Sequence, residues 1–176
     1  MTPDPNYKKI GDHSETVQVD YDPGIISYEQ LLDAFWRSHY PSSGFGSNQY
    51  RSVIFYHNEA QETAAMESKA REEERQGIKL QTVILPYTNF YLAEDYHQKY
   101  YLRTNSVLFQ EISLVYPDNN DLVNSTAAAR LNSYVAGFGD EAIAKTRLDD
   151  YGLSAAGREE LLKVVERGLK PVYPVP

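Results

Sequence analysis

Three groups of side chains in this sequence have types and spacings that could do chemistry. Glu15 precedes an alternating stretch, Thr16 to Asp22, in which Val17, Val19 and Tyr21 share one parity and Thr16, Gln18, Asp20 and Asp22 the other. Residues two apart in a strand line the same face, so Glu15 and His13 fall on the apolar side that a core would cover. A carboxyl partly removed from water is favoured in its neutral form, which would let Glu15 give a proton near neutral pH. If the strand frays at this end, both residues point to water instead. The second group lies in Leu92 to Tyr101, where helical spacing sets Glu94, His97 and Tyr101 on one face and Leu92, Tyr96 and Tyr100 on another. No His pair at i, i+4, no Cys and no Gly-centred calcium loop accompanies them, so no metal is expected. The third group is Tyr7 and Tyr50, whose hydroxyls sit in or beside loops where a ligand oxygen could meet them. His39 and His57, at the ends of a helix and a strand, read as caps or solvated groups.

The elements that must hold these residues follow from local pattern. Thr16 to Asp22 reads as a half-buried strand, and Pro23-Gly24 turns the chain. Ser27 with Gln30 forms a capping box for a helix burying Tyr28, Leu31, Leu32, Phe35 and Trp36, stopping near His39 before Pro41. Residues 41–48 are turn-formers throughout and read as a loop. Ser52 to Tyr56 and Leu80 to Leu85 are β-rich runs flanking a helix from Glu59 to Gln76, capped by Asn58 and charged along its exposed face. Beyond Asn89 the strand signal ends, and 91–103, 106–115, 120–136, 140–150 and 154–167 are each readable as helical. The pattern predicts an α+β protein whose C-terminal third is all helix.

Composition sets the outer limits. A chain of 176 residues, 41% hydrophobic and 24% charged, can bury a core. A net charge of −8 gives no basic field for phosphates, so nucleic acid is not an expected partner. Apolar runs are far too short to span a membrane, and Met1-Thr2-Pro3-Asp4-Pro5 resembles no signal peptide, so a cytoplasmic protein is expected. The absence of cysteine excludes disulfides, thiolate metal sites and any sulfur nucleophile supplied by this chain.

The ordered motifs Pro5-Asn6-Tyr7, Gly11-Asp12-His13-Ser14-Glu15, Tyr21-Asp22-Pro23, Ile26 to Leu32, Gln49-Tyr50-Arg51-Ser52-Val53-Ile54-Phe55 and Ala93 to Gln98 resemble the A-type peptide-methionine (S)-S-oxide reductases. The resemblance covers about residues 3–103. It implies a two-layer, ferredoxin-like α/β plait over 1–103, lacking its first strand and helix, with a helical extension at 104–176 packed on it. It also implies the reaction, in which a cysteine thiolate attacks the sulfoxide sulfur of oxidised methionine while a carboxylic acid protonates the departing oxygen. Carried over by motif, Glu15 is the proton donor, Tyr7 and Tyr50 bind the oxygen, and His13, Asp95 and His97 support them. No cofactor is bound; an external thiol reductant such as thioredoxin is implied, with free or peptide-bound methionine sulfoxide as substrate.

The sequence departs from that family in two places. The Gly-Cys-Phe-Trp-Gly segment, holding the nucleophile and an apolar cage, does not occur, and the loop before Gln49 lacks an Asp that relatives often place there. The chain begins Met1-Thr2-Pro3 where the family has Gly-Gly before a similar Thr-Pro. The expectation is a truncated gene model or a misplaced start, a sheet edge left uncovered, and no activity of this chain alone. A non-catalytic module that binds methionine sulfoxide or a protein is the alternative, and an inert remnant whose tail mediates assembly is a third reading.

Overall fold

The computed structural model describes residues 10–39 and 47–170. The chain forms two compact units, Met1–Leu92 and Ala93–Pro176, taken here in turn.

In the first unit the capping box is present as read. Ser27 Oγ accepts from Gln30 N at 3.2 Å and Gln30 Oε1 accepts from Ser27 N at 2.8 Å, starting α1, Tyr28–Ser38. The helix stops at His39, whose backbone is extended. β1 is Val53–Tyr56 and β2 is Val83–Pro86, paired in parallel with Val53 opposite Val83. Parallel neighbours need a crossover, and α2, Glu59–Gln76, supplies it. Asn58 caps its start, and Gly77 closes it in the left-handed region at φ 68°, where its N–H reaches Glu73 O at 2.9 Å. Leu32, Trp36, Ile54, Ala65 and Leu80 form the core, with Tyr28, Phe35, Ala64 and Ile84 packed at its edge. Trp36 Nε1 donates to Ser68 Oγ at 3.1 Å, so the indole is buried with its one donor satisfied.

The strand expected over Thr16–Asp22 does not form. Val17 is 85% exposed and Val19 55%, and the segment has no ladder partner among the described residues. Alternation says which face a strand would bury; it does not provide the neighbouring strand that makes burial happen. The α+β class expected from the sequence is borne out.

The second unit is helical. Its elements are α3 (Tyr100–Thr104), α4 (Ser106–Val115), α5 (Asn119–Asn124), α6 (Thr126–Val135), α7 (Glu141–Thr146) and α8 (Ala155–Glu166). Leu102, Leu108, Ile112, Leu131, Leu161 and Val165 are fully buried among them. Three expected helices are shorter or divided, and the one expected over 140–150 is α7 followed by a separate 3-10 turn, Leu148–Tyr151. The helix expected over 91–103 is a single 3-10 turn, Asp95–His97, then α3, because Lys99 takes the left-handed conformation at φ 51°. The helix expected over 120–136 is cut where Ser125 Oγ accepts from Ala128 N and starts α6 anew.

α4 and α8 are joined by one carboxylate. Ser154 caps α8, and Glu111 of α4 accepts from Ser154 N at 2.9 Å and from Ser154 Oγ at 2.7 Å. A Cβ at Gly157 would stand 3.0 Å from that carboxyl group, which would have to shift by a few tenths of an ångström to admit it. The two Ser154 donors, side chain first, hold the Glu111 carboxyl below the usual glutamate range. A carboxyl lowered by folding stabilises the fold above its ordinary pKa, and the contribution is lost as pH falls through the depressed value. We expect Glu111→Gln to melt below the parent at neutral pH, with the difference narrowing in acid. Melting curves across pH check this, and a pH-independent difference would contradict it.

Candidate functional site

The residues singled out in the first unit meet across a large sequence separation. A turn closed by His13 N donating to Ile10 O at 3.2 Å, with Gly11 at φ 63°, delivers His13, Ser14 and Glu15. The 3-10 turn Asn48–Tyr50 delivers the other side immediately before β1. Four hydrogen bonds fasten the two segments. Ser14 Oγ donates to Asn48 O at 2.8 Å, Glu15 N to Gln49 O at 2.9 Å, and Arg51 Nε to Ser14 Oγ at 2.8 Å. The fourth involves the candidate acid itself: Gln49 Nε2 donates to Glu15 Oε1 at 2.7 Å. The same amide nitrogen donates to the Tyr50 phenol oxygen at 3.0 Å. One –NH2 group therefore sits between the Glu15 carboxylate and the Tyr50 hydroxyl.

That arrangement differs from the sequence expectation in one respect. Glu15 is exposed, so the burial expected of its parity is not supplied by the described residues. What localises the carboxylate is the Gln49 amide and a backbone bond to the same residue. Tyr50 is itself 51% exposed, and both groups are open to a ligand from solvent. His13 is half-buried, its ring edge-on to Tyr91 at 5.3 Å and its Nε2 3.9 Å from Asp12 Oδ1. Tyr7 lies outside the described residues.

The foundation of the site was not legible from spacing. His39 Nδ1 lies 2.8 Å from Phe35 O, and since a carbonyl only accepts, Nδ1 carries the hydrogen. In the neutral ring Nε2 then accepts from Ser52 Oγ at 2.8 Å, and the Ser52 oxygen takes the Thr82 hydroxyl at 2.7 Å. Ser52 and Thr82 are buried. The chain of donors joins the end of α1, the entry to β1 and the residue before β2, fixing the backbone on which Asn48 to Arg51 ride. His39 thus has a part beyond the cap or solvated group its position implied. Neither Ser14, Gln49 nor Arg51 had stood out as a candidate, because their partners are more than thirty residues away.

Asp95 and His97 belong to the second unit. Asp95 Oδ1 accepts from Asn119 Nδ2 at 3.0 Å, and Asn119 Oδ1 accepts from Arg103 at 2.6 Å. The Arg103 guanidinium also lies over the Phe109 ring at 4.7 Å, so Asp95 is tied into the helical core's rim. His97 packs against Tyr96 at 4.1 Å, with Glu94 Oε2 3.8 Å from its Nε2. The single helical face expected to join Glu94, His97 and Tyr101 is interrupted at Lys99. Among the described residues no three His, Cys, Asp or Glu side chains group so as to hold a metal ion, and no helix is long and apolar enough to cross a membrane.

Comparison with known proteins points to one family. Residues 1–129 match the sequence profile described as peptide methionine sulfoxide reductase. A Drosophila melanogaster protein of that name is 39% identical over 165 residues, 93% of this chain and 66% of its own. Peptide methionine sulfoxide reductase A5 of Oryza sativa subsp. japonica is 41% identical over 139 residues, 75% of this chain and 54% of its own. Peptide methionine sulfoxide reductase MsrA of Methanosarcina acetivorans is 47% identical over 97 residues, covering 51% of each. This chain thus spans about half to two thirds of these relatives' lengths.

Because Ser52 bonds the buried Thr82 and the half-buried His39 at once, its removal strands both. We expect Ser52→Ala to cost about 1–3 kcal/mol of stability, the usual penalty for leaving buried polar groups unpaired. Urea unfolding of the first unit's signal checks this; an unshifted midpoint would contradict it.

Proposed function

Since the chain belongs to the peptide methionine sulfoxide reductase family, an oxidoreductase family, we propose that it carries the oxygen-binding part of that family's site. The reading rests on one observation: Glu15 and Tyr50 are held by the same Gln49 amide nitrogen. Glu15 and the Tyr50 hydroxyl are the donors to a sulfoxide oxygen, with Tyr7 as a second phenol. Gln49 donates into the Tyr50 oxygen, and hydrogen bonds in series polarise one another, so the phenol becomes a better donor. His13, packed edge-on to Tyr91, and Asp95 and His97 are supporting residues of the family motif.

The chemistry that such a wall serves is the loss of oxygen from sulfur. As a thiolate attacks the sulfoxide sulfur, the S–O bond weakens and the oxygen gains negative charge. Donors aimed at that oxygen stabilise the transition state more than the bound sulfoxide. Proton transfer from a positioned acid contributes about 10²–10⁴-fold in such steps. This sequence contains no cysteine, so the thiolate is not one of its residues, and we infer that the chain by itself binds without reducing. Where a thiolate is supplied, the reaction is reduction of methionine S-sulfoxide in peptides or free, a repair of oxidative damage recycled by a thioredoxin-like reductant in the cytoplasm. The division into a reductase-like part, 1–103, and a helical extension, 104–176, belongs to the same proposal.

A non-catalytic sulfoxide-binding module uses the same wall, and calorimetry tests the shared step. We expect a methionine sulfoxide peptide to bind and its thioether counterpart, lacking the oxygen, not to bind. Glu15→Leu and Tyr50→Phe should each weaken binding about three- to tenfold, the worth of one hydrogen bond. Binding that ignores both substitutions, or equal binding of the thioether, would contradict the proposal.

A further inference from the structure

We propose that Met66 is a site of reversible oxidation by hydrogen peroxide, its thioether sulfur becoming a sulfoxide on the open face of α2. The sequence holds two methionines and no cysteine, and Met66 is the methionine among the described residues. Thiolates would otherwise compete for peroxide; here none exists. The Met66 side chain is 58% exposed in the middle of α2, next to Ala65, which is wholly buried. The helix thus turns Ala65 to the core and Met66 outward, and an added oxygen meets solvent instead of packed side chains. Access to sulfur governs thioether oxidation, and this position offers it.

Met66 also lines a groove of about 570 Å3 between α2 and β2, together with Lys69, Ala70, Thr82, Val83 and Leu85. The Lys69 ammonium is anchored there, donating to Thr82 O at 2.7 Å with Glu73 Oε1 4.0 Å away. Oxidation replaces a flexible apolar side chain in this wall with a polar, chiral one bearing a strong acceptor. The step balances: a sulfur lone pair attacks one peroxide oxygen, the S–O bond forms and the O–O bond breaks. The second oxygen leaves as hydroxide and takes a proton to become water, so sulfur loses two electrons and peroxide gains them. Reversal takes two electrons from a dithiol, which becomes a disulfide while the oxygen departs as water. Met66 is here a substrate, so the inference does not depend on whether Glu15 and Tyr50 bind sulfoxides.

The test treats the full chain with hydrogen peroxide and follows each methionine peptide by mass spectrometry after digestion. We expect the Met66 peptide to gain one oxygen at a rate within about threefold of methionine in an unstructured peptide, as access dictates. Met66→Leu should lack that gain and keep the parent melting temperature, since Leu and Met exchange at little cost. An active reductase specific for the S epimer, with dithiothreitol, should then restore only that epimer's share. Oxidation at less than about a tenth of the peptide's rate, as for a protected sulfur, or a product that reductases of neither epimer specificity restore, would overturn the proposal.

Discussion

The Ser52 hydroxyl is the point on which the candidate site depends. It bonds both Thr82 and His39, so one buried oxygen fixes the entry to β1 against the end of α1 and the approach to β2. The bonds from residues 48–51 to Ser14 and Glu15 are mostly exposed, and a single exposed hydrogen bond contributes only about 0.5–1.5 kcal/mol. They hold a geometry because one of the two segments they join is already immobilised by the core around Trp36, Ile54 and Leu80. Stability flows from apolar burial to the polar triad of Ser52, Thr82 and half-buried His39, and from there to the exposed Glu15 and Tyr50.

Much of the frame was legible in local sequence. The Ser27–Gln30 box, the span of α2 and the helices beginning at Ser106 and after Ser154 follow from caps and periodicity, which act within four residues. The failures have a common cause. Thr16–Asp22 alternates as a strand should, yet Val17 and Val19 face solvent because burial needs a neighbour that pattern alone cannot supply. Lys99 adopts a left-handed backbone with neither glycine nor asparagine to announce it. At the site, Glu15 and Tyr50 were legible through motif resemblance, whereas Gln49, Ser14 and His39 act on partners distant in sequence and carry no local signature.

The exposure of Glu15 changes how its proposed role is understood. Parity alone assigned the carboxyl to a buried wall, where desolvation would do the tuning. In the structure its place is set by the amide of Gln49, which also reaches Tyr50. Positioning therefore takes over from burial, among the described residues, as the organising physics of the proposed role.

The most direct measurement is a nuclear magnetic resonance titration of the isotope-labelled chain with a small alkyl sulfoxide, followed at the backbone amides and at the Gln49 side-chain –NH2. The account expects shifts concentrated on residues 13–15 and 48–51, with the Gln49 amide among the largest. Shifts elsewhere in the chain with these residues unmoved would contradict it.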